Sequence, residues 1–307
     1  MDGGIDDALA LILALRSKEL EVAGITAVSG NVSVEQAAVN ALRVVELLNL
    51  GHVWVAKGMA KPLVRNPIRA TRFHGRDGLG DSNLPPPKLR PRRKKALDLL
   101  SEEIASAKKR ELSIVATGPL TNIAALFSKD LDSAKKIREL SIMGGAYGLT
   151  QYGIGNETRV AEFNIYSDPE AAKIVFESGV KLKAVGLDVT MIPDAQLSLR
   201  DYSIIRRSSS KVAEFAARIL AQVMKRGSFA LHDPMAVAAM ATPSLFGFER
   251  LPVVVETSGE HTIGMTVADR RRQTQHGGKT APTFAICNGL RTKRFKQIVM
   301  RVLTSGL

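Results

Sequence analysis

Short apolar runs alternate with amphipathic ones along most of this chain, and that alternation restricts the fold more than any single motif does. Residues 22–28, 53–56, 112–116, 139–143, 182–185 and 252–256 read as strands. Residues 8–15, 33–48, 96–108, 120–127, 169–177, 209–224 and 234–240 read as helices. Strands separated by helices of this length cross over in parallel as βαβ units. The pattern therefore predicts an α/β fold: one domain over residues 1–307, with a mostly parallel central sheet, helices on both faces and a Rossmann-like core. The proline-rich stretch at 85–87 and the polar stretch 147–158 read as loop excursions.

Composition excludes several classes. With 45% apolar and 24% charged residues, the 307-residue chain is neither disordered nor of low complexity. Its longest apolar stretch, residues 8–15, falls short of the roughly 18 residues a bilayer-spanning helix needs. A single cysteine, Cys287, forbids an internal disulfide, and the opening residues lack a secretory pattern, so a cytoplasmic protein is expected. The formal net charge of +13 raises the question of nucleic acid. The basic run at 88–95 follows three prolines, however, and four Tyr and one Trp offer little for base stacking. A solvated basic surface is expected, with neither a nucleic-acid nor a membrane partner.

In open parallel sheets ligands sit beyond the carboxyl ends of the strands. That rule selects Asn31, Thr117–Gly118, Gly144–Gly145 and Asp188. Ahead of the first helix stand Asp2, Asp6 and Asp7, with Gly3 and Gly4 between them. Such carboxylates repel one another unless they share a cation, and oxygen ligands suit Ca²⁺ or Mg²⁺ rather than Zn²⁺. The alternative is capping, since Asp6 and Asp7 also suit a helix start. Further along, Glu162 and Asn164 alternate in what reads as a short extended segment, offering an acceptor and an amide on one side. Asp168 before Pro169 reads as an ordinary helix cap. His232–Asp233 precedes a helix and is open to the same bland reading. His74 lies in a glycine-rich loop, residues 74–80, without Walker spacing.

Together these blocks resemble the inosine–uridine-preferring nucleoside hydrolases. Residues 2–8 (DGGIDDA) are similar to that family's DxDPGxDDA signature. The likeness continues in order through Gly30–Asn31, the HGRDGLG run from His74, Thr117–Asn122, Met143–Gly145, Asn156, Ala161–Asn164 and His232–Asp233. It implies a nucleoside hydrolase-like fold and calcium-dependent cleavage of the N-glycosidic bond of ribonucleosides. Ca²⁺ would be held by Asp2, Asp7, Asp233 and the carbonyl of Thr117, with Asp2 also the catalytic base. Asp6, Asn31 and Asn164 would contact ribose hydroxyls, and Asn156 with Glu162 the 3′ and 5′ side. His232 would be the leaving-group acid, an imidazolium, with His74 nearby on the base side. A homodimer or homotetramer is expected.

Two departures bear on these expectations. The family places an apolar strand and a further aspartate before the position of Asp2, and its proline is Gly3 here. A first strand is therefore expected to be lacking, and a second reading follows: a non-catalytic ribose- or nucleoside-binding protein with an impaired metal site. The segment before His232 carries no Tyr between residues 209 and 224, and Trp54 is the sole tryptophan, which points to broad or purine-plus-uridine use.

Overall fold

The computed structural model describes residues 1–108, 111–271 and 282–306. In chain order the elements are α1 (Ile5–Leu15), β1 (Gly24–Ala27), α2 (Val34–Leu47), β2 (Trp54–Lys57), α3 (Thr71–His74), α4 (Ala96–Ser106), β3 (Ser113–Ala116) and α5 (Thr121–Lys129). Next come α6 (Leu131–Ala134), β4 (Glu139–Met143), α7 (Phe163–Ser167), α8 (Pro169–Glu177), β5 (Leu182–Val185), α9 (Leu187–Thr190), β6 (Leu197–Ser198), α10 (Leu199–Arg207) and α11 (Lys211–Leu220). The chain ends through β7 (Ser228–Phe229), α12 (His232–Ala241), β8 (Phe246–Val255), β9 (Thr266–Ala268), β10 (Thr283–Leu290) and α13 (Thr292–Thr304).

The principal sheet has the order β3-β4-β5-β10-β8-β9. Its first four strands run parallel, and β8 and β9 add antiparallel to β10. β1 and β2 form a separate parallel pair. Met1 lies alongside β1: its ammonium donates to the Thr26 carbonyl at 3.1 Å, and its carbonyl accepts from the Val28 N–H at 2.9 Å.

Strand periodicity explains the layers. On β4 and β5, Leu140, Ile142, Leu182 and Ala184 face one core, which α4, α5 and α8 cover with Ile104, Phe127 and Phe176. Met143 and Val185 point the other way, into a core built by α1, α11, α12 and α13. The α12 helix lies across that face, and the Ser141 hydroxyl donates to its Ala236 carbonyl at 3.0 Å. A third cluster joins α2 to β1 and β2. Among the described residues, no helix is long and apolar enough to cross a membrane.

The structure corrects parts of the sequence reading. The strand expected at 252–256 is the end of β8, which begins at Phe246. β10, α10 and α13 were not anticipated. The basic run at 88–95 is largely exposed, is tied to β2 by a bridge between Arg92 and Ala56, and pairs Lys94 with Glu102. Asp168 is the expected cap, accepting from the Ala171 N–H at 3.0 Å.

Candidate active site

The carboxyl ends of β1, β3, β4 and β5 and the first turns of α1 and α12 meet in one place. Gly3, at φ +86°, turns the chain into α1 in a backbone region that favours glycine, and a Cβ there would stand 2.7 Å from the Ala37 Cα. The turn brings Asp2 back against the helix start. Asp2 is fully buried. Its Oδ2 accepts the Asn31 N–H at 2.7 Å and its Oδ1 the Asn31 side-chain amide at 2.9 Å.

Asp7 makes the contacts of a helix cap and also faces the other acidic side chains. Its Oδ2 accepts the Gly4 N–H at 2.8 Å, the backward half of a helix cap. Its Oδ1 accepts the Thr117 hydroxyl at 2.7 Å and the Asp2 N–H at 3.3 Å. Thr117 thus reaches the acidic centre from the end of β3, 110 residues away in sequence.

Asp6, Asp7 and Asp233 bring carboxylate oxygens within 4.8 Å of one another, all three buried. Asp6 therefore joins the cluster, in addition to the ribose contact expected of it. Asp2 is not among the three that converge, but it adjoins them through Asp7, which accepts its N–H. One Asp6 oxygen, Oδ1, is buried with no hydrogen-bond partner, and it lies 3.9 Å from His74 Nδ1. Burial, followed by repulsion from Asp7, pushes the Asp6 carboxyl up to about 8. Burial and neighbouring carboxylates likewise hold Asp2 and Asp233 well above the usual carboxylate range. An acidic centre this costly to ionise, with an orphaned oxygen, fits a divalent cation that takes only oxygen ligands.

Glu162 and Asn164, expected to contact the sugar, gather at the end of β4. Glu162 and Asn164 are not on an extended segment: Glu162 caps α7 and Asn164 lies within it. They still converge. Glu162 is buried and accepts N–H groups from Asn164 at 2.9 Å and from Gly145 and Ile165 at 3.1 Å. Its carboxyl is pushed up to about 7 by burial, against the pull of those amides. Asn164 donates to the Met143 carbonyl at 3.1 Å. Asn156 is exposed, and its side-chain carbonyl accepts the Phe163 N–H at 2.9 Å.

Two partly buried histidines lie close enough to influence each other. His74 Nδ1 accepts the Ile5 N–H at 3.2 Å, which leaves its proton on Nε2. His232 Nδ1 shares a hydrogen bond with the Thr190 hydroxyl at 2.8 Å. Burial lowers both rings to about 4, and His74 helps lower His232. Burial thus favours the neutral imidazole over the imidazolium expected of His232 from the sequence.

Sequence reasoning missed several supports. Thr190 was not singled out, and a threonine at a helix end carries no sequence signal of its own. Asn40, in mid-helix, donates to the Gly3 carbonyl at 2.8 Å and fixes the acidic turn. Its being an amide among apolar positions of α2 was a usable signal. Asp188 was selected by the strand-end rule, and it accepts the Tyr147 and Leu149 N–H groups at 2.8 and 2.6 Å, anchoring the loop that carries Asn156.

The model of the family described as inosine-uridine preferring nucleoside hydrolase matches residues 1–297. The pyrimidine-specific ribonucleoside hydrolase RihA of Shewanella sp. (strain ANA-3) is 40% identical over 293 residues, covering 93% of this chain and 90% of that protein. The protein of the same name from Escherichia coli O81 (strain ED1a) is 41% identical over 276 residues, covering 87% and 86%. Among solved structures, a plant nucleoside hydrolase, PpNRh1, superposes with TM-score 0.92 at 30% identity, covering 99% of this chain and 97% of that one. A purine-preferring ribonucleoside hydrolase from Gardnerella vaginalis superposes with TM-score 0.89 at 31% identity, covering 99% and 96%.

Proposed function

The chain belongs to the inosine-uridine preferring nucleoside hydrolases, and from that premise we propose that it cleaves pyrimidine ribonucleosides, uridine first, with Ca²⁺ held against the ribose. It is a hydrolase of N-glycosyl bonds. The observation that carries the rest is the meeting of three buried carboxylates beside an unpartnered Asp6 oxygen.

Asp7 and Asp233 would hold the cation, with Asp2, Asp6 and the Thr117 carbonyl completing the oxygen set. Bound there, Ca²⁺ would neutralise the carboxylates, lower the pKa of a water and fix vicinal ribose hydroxyls. Breaking the bond between C1′ and the base builds positive charge on the ribose, and the carboxylates of Asp6 and Glu162 stabilise it. Asp2 takes the proton of the attacking water. The base leaves as an anion, and His232 donates to it from Nε2, an effect of about 10²- to 10⁴-fold. Asn31, Asn156 and Asn164 orient the sugar. Pyrimidine preference is favoured over the purine-plus-uridine expectation because the relatives near 40% identity carry pyrimidine-specific names, whereas the purine-preferring one stands at 31%. The lone thiol of Cys287 is buried and fits a reducing cytoplasm.

The test is ribose release from uridine, cytidine, inosine and adenosine in chelator and after Ca²⁺ is added back. Uridine and cytidine turnover should vanish and return. Full turnover in chelator, or binding without ribose release, would overturn the proposal.

A further inference from the structure

We propose that Thr190 is a positioning residue for His232, whose tautomer it sets by donating its hydroxyl hydrogen to Nδ1. Thr190 is completely buried at the last position of α9, and its Oγ1 lies 2.8 Å from His232 Nδ1. A hydroxyl has a single hydrogen to give. Among the described residues, His232 is the one hydrogen-bond partner of this hydroxyl; accepting from Nδ1 would leave its own hydrogen buried without an acceptor, a cost that favours donation to Nδ1. A neutral imidazole that accepts at Nδ1 carries its proton on Nε2. The donor is thereby fixed on Nε2, the nitrogen that Thr190 does not engage, before any substrate arrives.

The geometry around Thr190 suits this task. Its branched side chain has few rotamers in a helix. The turn that holds it is pinned at both ends: the Thr190 N–H donates to the Gly186 carbonyl at 3.2 Å, and the Asp188 carboxylate accepts from the loop at Tyr147 and Leu149. Asp188 thus ties α9 to the sugar-side loop while Thr190 ties it to His232. The α9 turn is the rigid piece that sets the base-side donor relative to the ribose.

This inference rests on the reading of His232 as the leaving-group donor, and the experiment separates the two. Thr190→Val removes the hydroxyl at nearly constant shape, and Thr190→Ser restores it. Each is assayed with uridine, whose leaving base needs a donor, and with 4-nitrophenyl β-D-riboside, whose phenolate leaves unaided. Thr190→Val should lower kcat on uridine by about 10- to 100-fold at little-changed KM, and change turnover of the nitrophenyl riboside less than about threefold. Thr190→Ser should recover most of the uridine activity. In the parent protein, ¹⁵N shifts of labelled histidine should place the His232 proton on Nε2, a readout that needs no turnover and survives any folding defect of a variant. Equal losses on both substrates, no loss on uridine, or a proton on Nδ1 would overturn the inference. If His232→Ala shows no leaving-group selectivity, the donor reading itself falls and the role of Thr190 with it. If His232→Ala is selective and Thr190→Val is not, only the role of Thr190 falls.

Discussion

Replacing Asp6 by Asn should stabilise the cation-free protein while removing its function. In the folded chain burial and Asp7 move the Asp6 carboxyl from its ordinary 3.8 to about 8. A carboxyl whose pKa is raised by folding contributes fully to stability below the unfolded value, and that contribution is lost as pH climbs towards the folded value. The loss therefore runs between about pH 4 and pH 8. At about 1.4 kcal/mol per pH unit it reaches about 5 kcal/mol, an upper figure because neighbouring carboxylates share it. Asparagine matches the protonated acid in shape and carries no charge, so about 2–4 kcal/mol of that loss should be recovered at pH 8. For a chain of this size that is roughly 3–8 °C in Tm. The assay is thermal unfolding in chelator from pH 5 to pH 8. The parent should melt progressively lower as pH rises, and Asp6→Asn should show a flatter trend and the higher Tm at pH 8. Ca²⁺ at about 1,000 times its Kd or more should reverse the order, because at that excess the ligand adds about 4.1 kcal/mol to the parent alone, as much as the substitution recovers. If Asp6→Asn melts at or below the parent at pH 8 in chelator, with an unchanged pH trend, the account of the acidic centre is wrong.

Other outcomes follow from the same structure. A Cβ on Gly30 would stand 2.0 Å from Asp2 Oδ2, so Gly30→Ala should displace that carboxylate and weaken Ca²⁺ binding at least about tenfold by titration calorimetry, with the circular dichroism spectrum retained. Because cation binding must displace the proton Asp6 holds up to about 8, affinity should rise about tenfold per pH unit between pH 6 and pH 8 and then level off. Calorimetry in two buffers of different ionisation enthalpy reads the released proton directly, and a flat profile would contradict it. Phe176 is 1% exposed and meets Phe284 edge-to-face at 5.0 Å. Phe176→Ala should therefore lower unfolding free energy by about 3–5 kcal/mol in urea, the cost of a cavity between α8 and β10.

Much of the fold was legible because its signals are local. β4 and β5 are short apolar runs, and α2 and α8 show apolar residues at helical spacing, so their existence and type could be read directly. β10 could not be placed, since it inserts between β5 and β8 and its partners are distant in sequence. α13 has a legible stripe in Phe295, Val299 and Leu303, yet five Lys, Arg and Gln residues on the rest of its surface obscure it. The site divides in the same way. Asp7 and Asp233 lie 226 positions apart, and no spacing argument joins them without the resemblance; the folded chain brings their oxygens within 4.8 Å. The resemblance gave Asp6 and Asp7 different duties, and adjacent residues on a helix point about 100° apart. Burying the whole first turn of α1 makes them neighbours in one cluster. The charge state of His232 was illegible for a related reason, because burial sets it and burial is a property of the packed chain.

The central claim is that carboxylates far apart in the sequence, Asp7 and Asp233, grip a single divalent ion where ribose binds. Diffraction from crystals grown with Ca²⁺, recorded where calcium scatters anomalously, tests it most directly. One anomalous peak should lie about 2.3–2.6 Å from oxygens of both Asp7 and Asp233. Crystals whose enzyme still releases base from uridine but whose maps hold no ion there, or hold it at another place, would contradict the account.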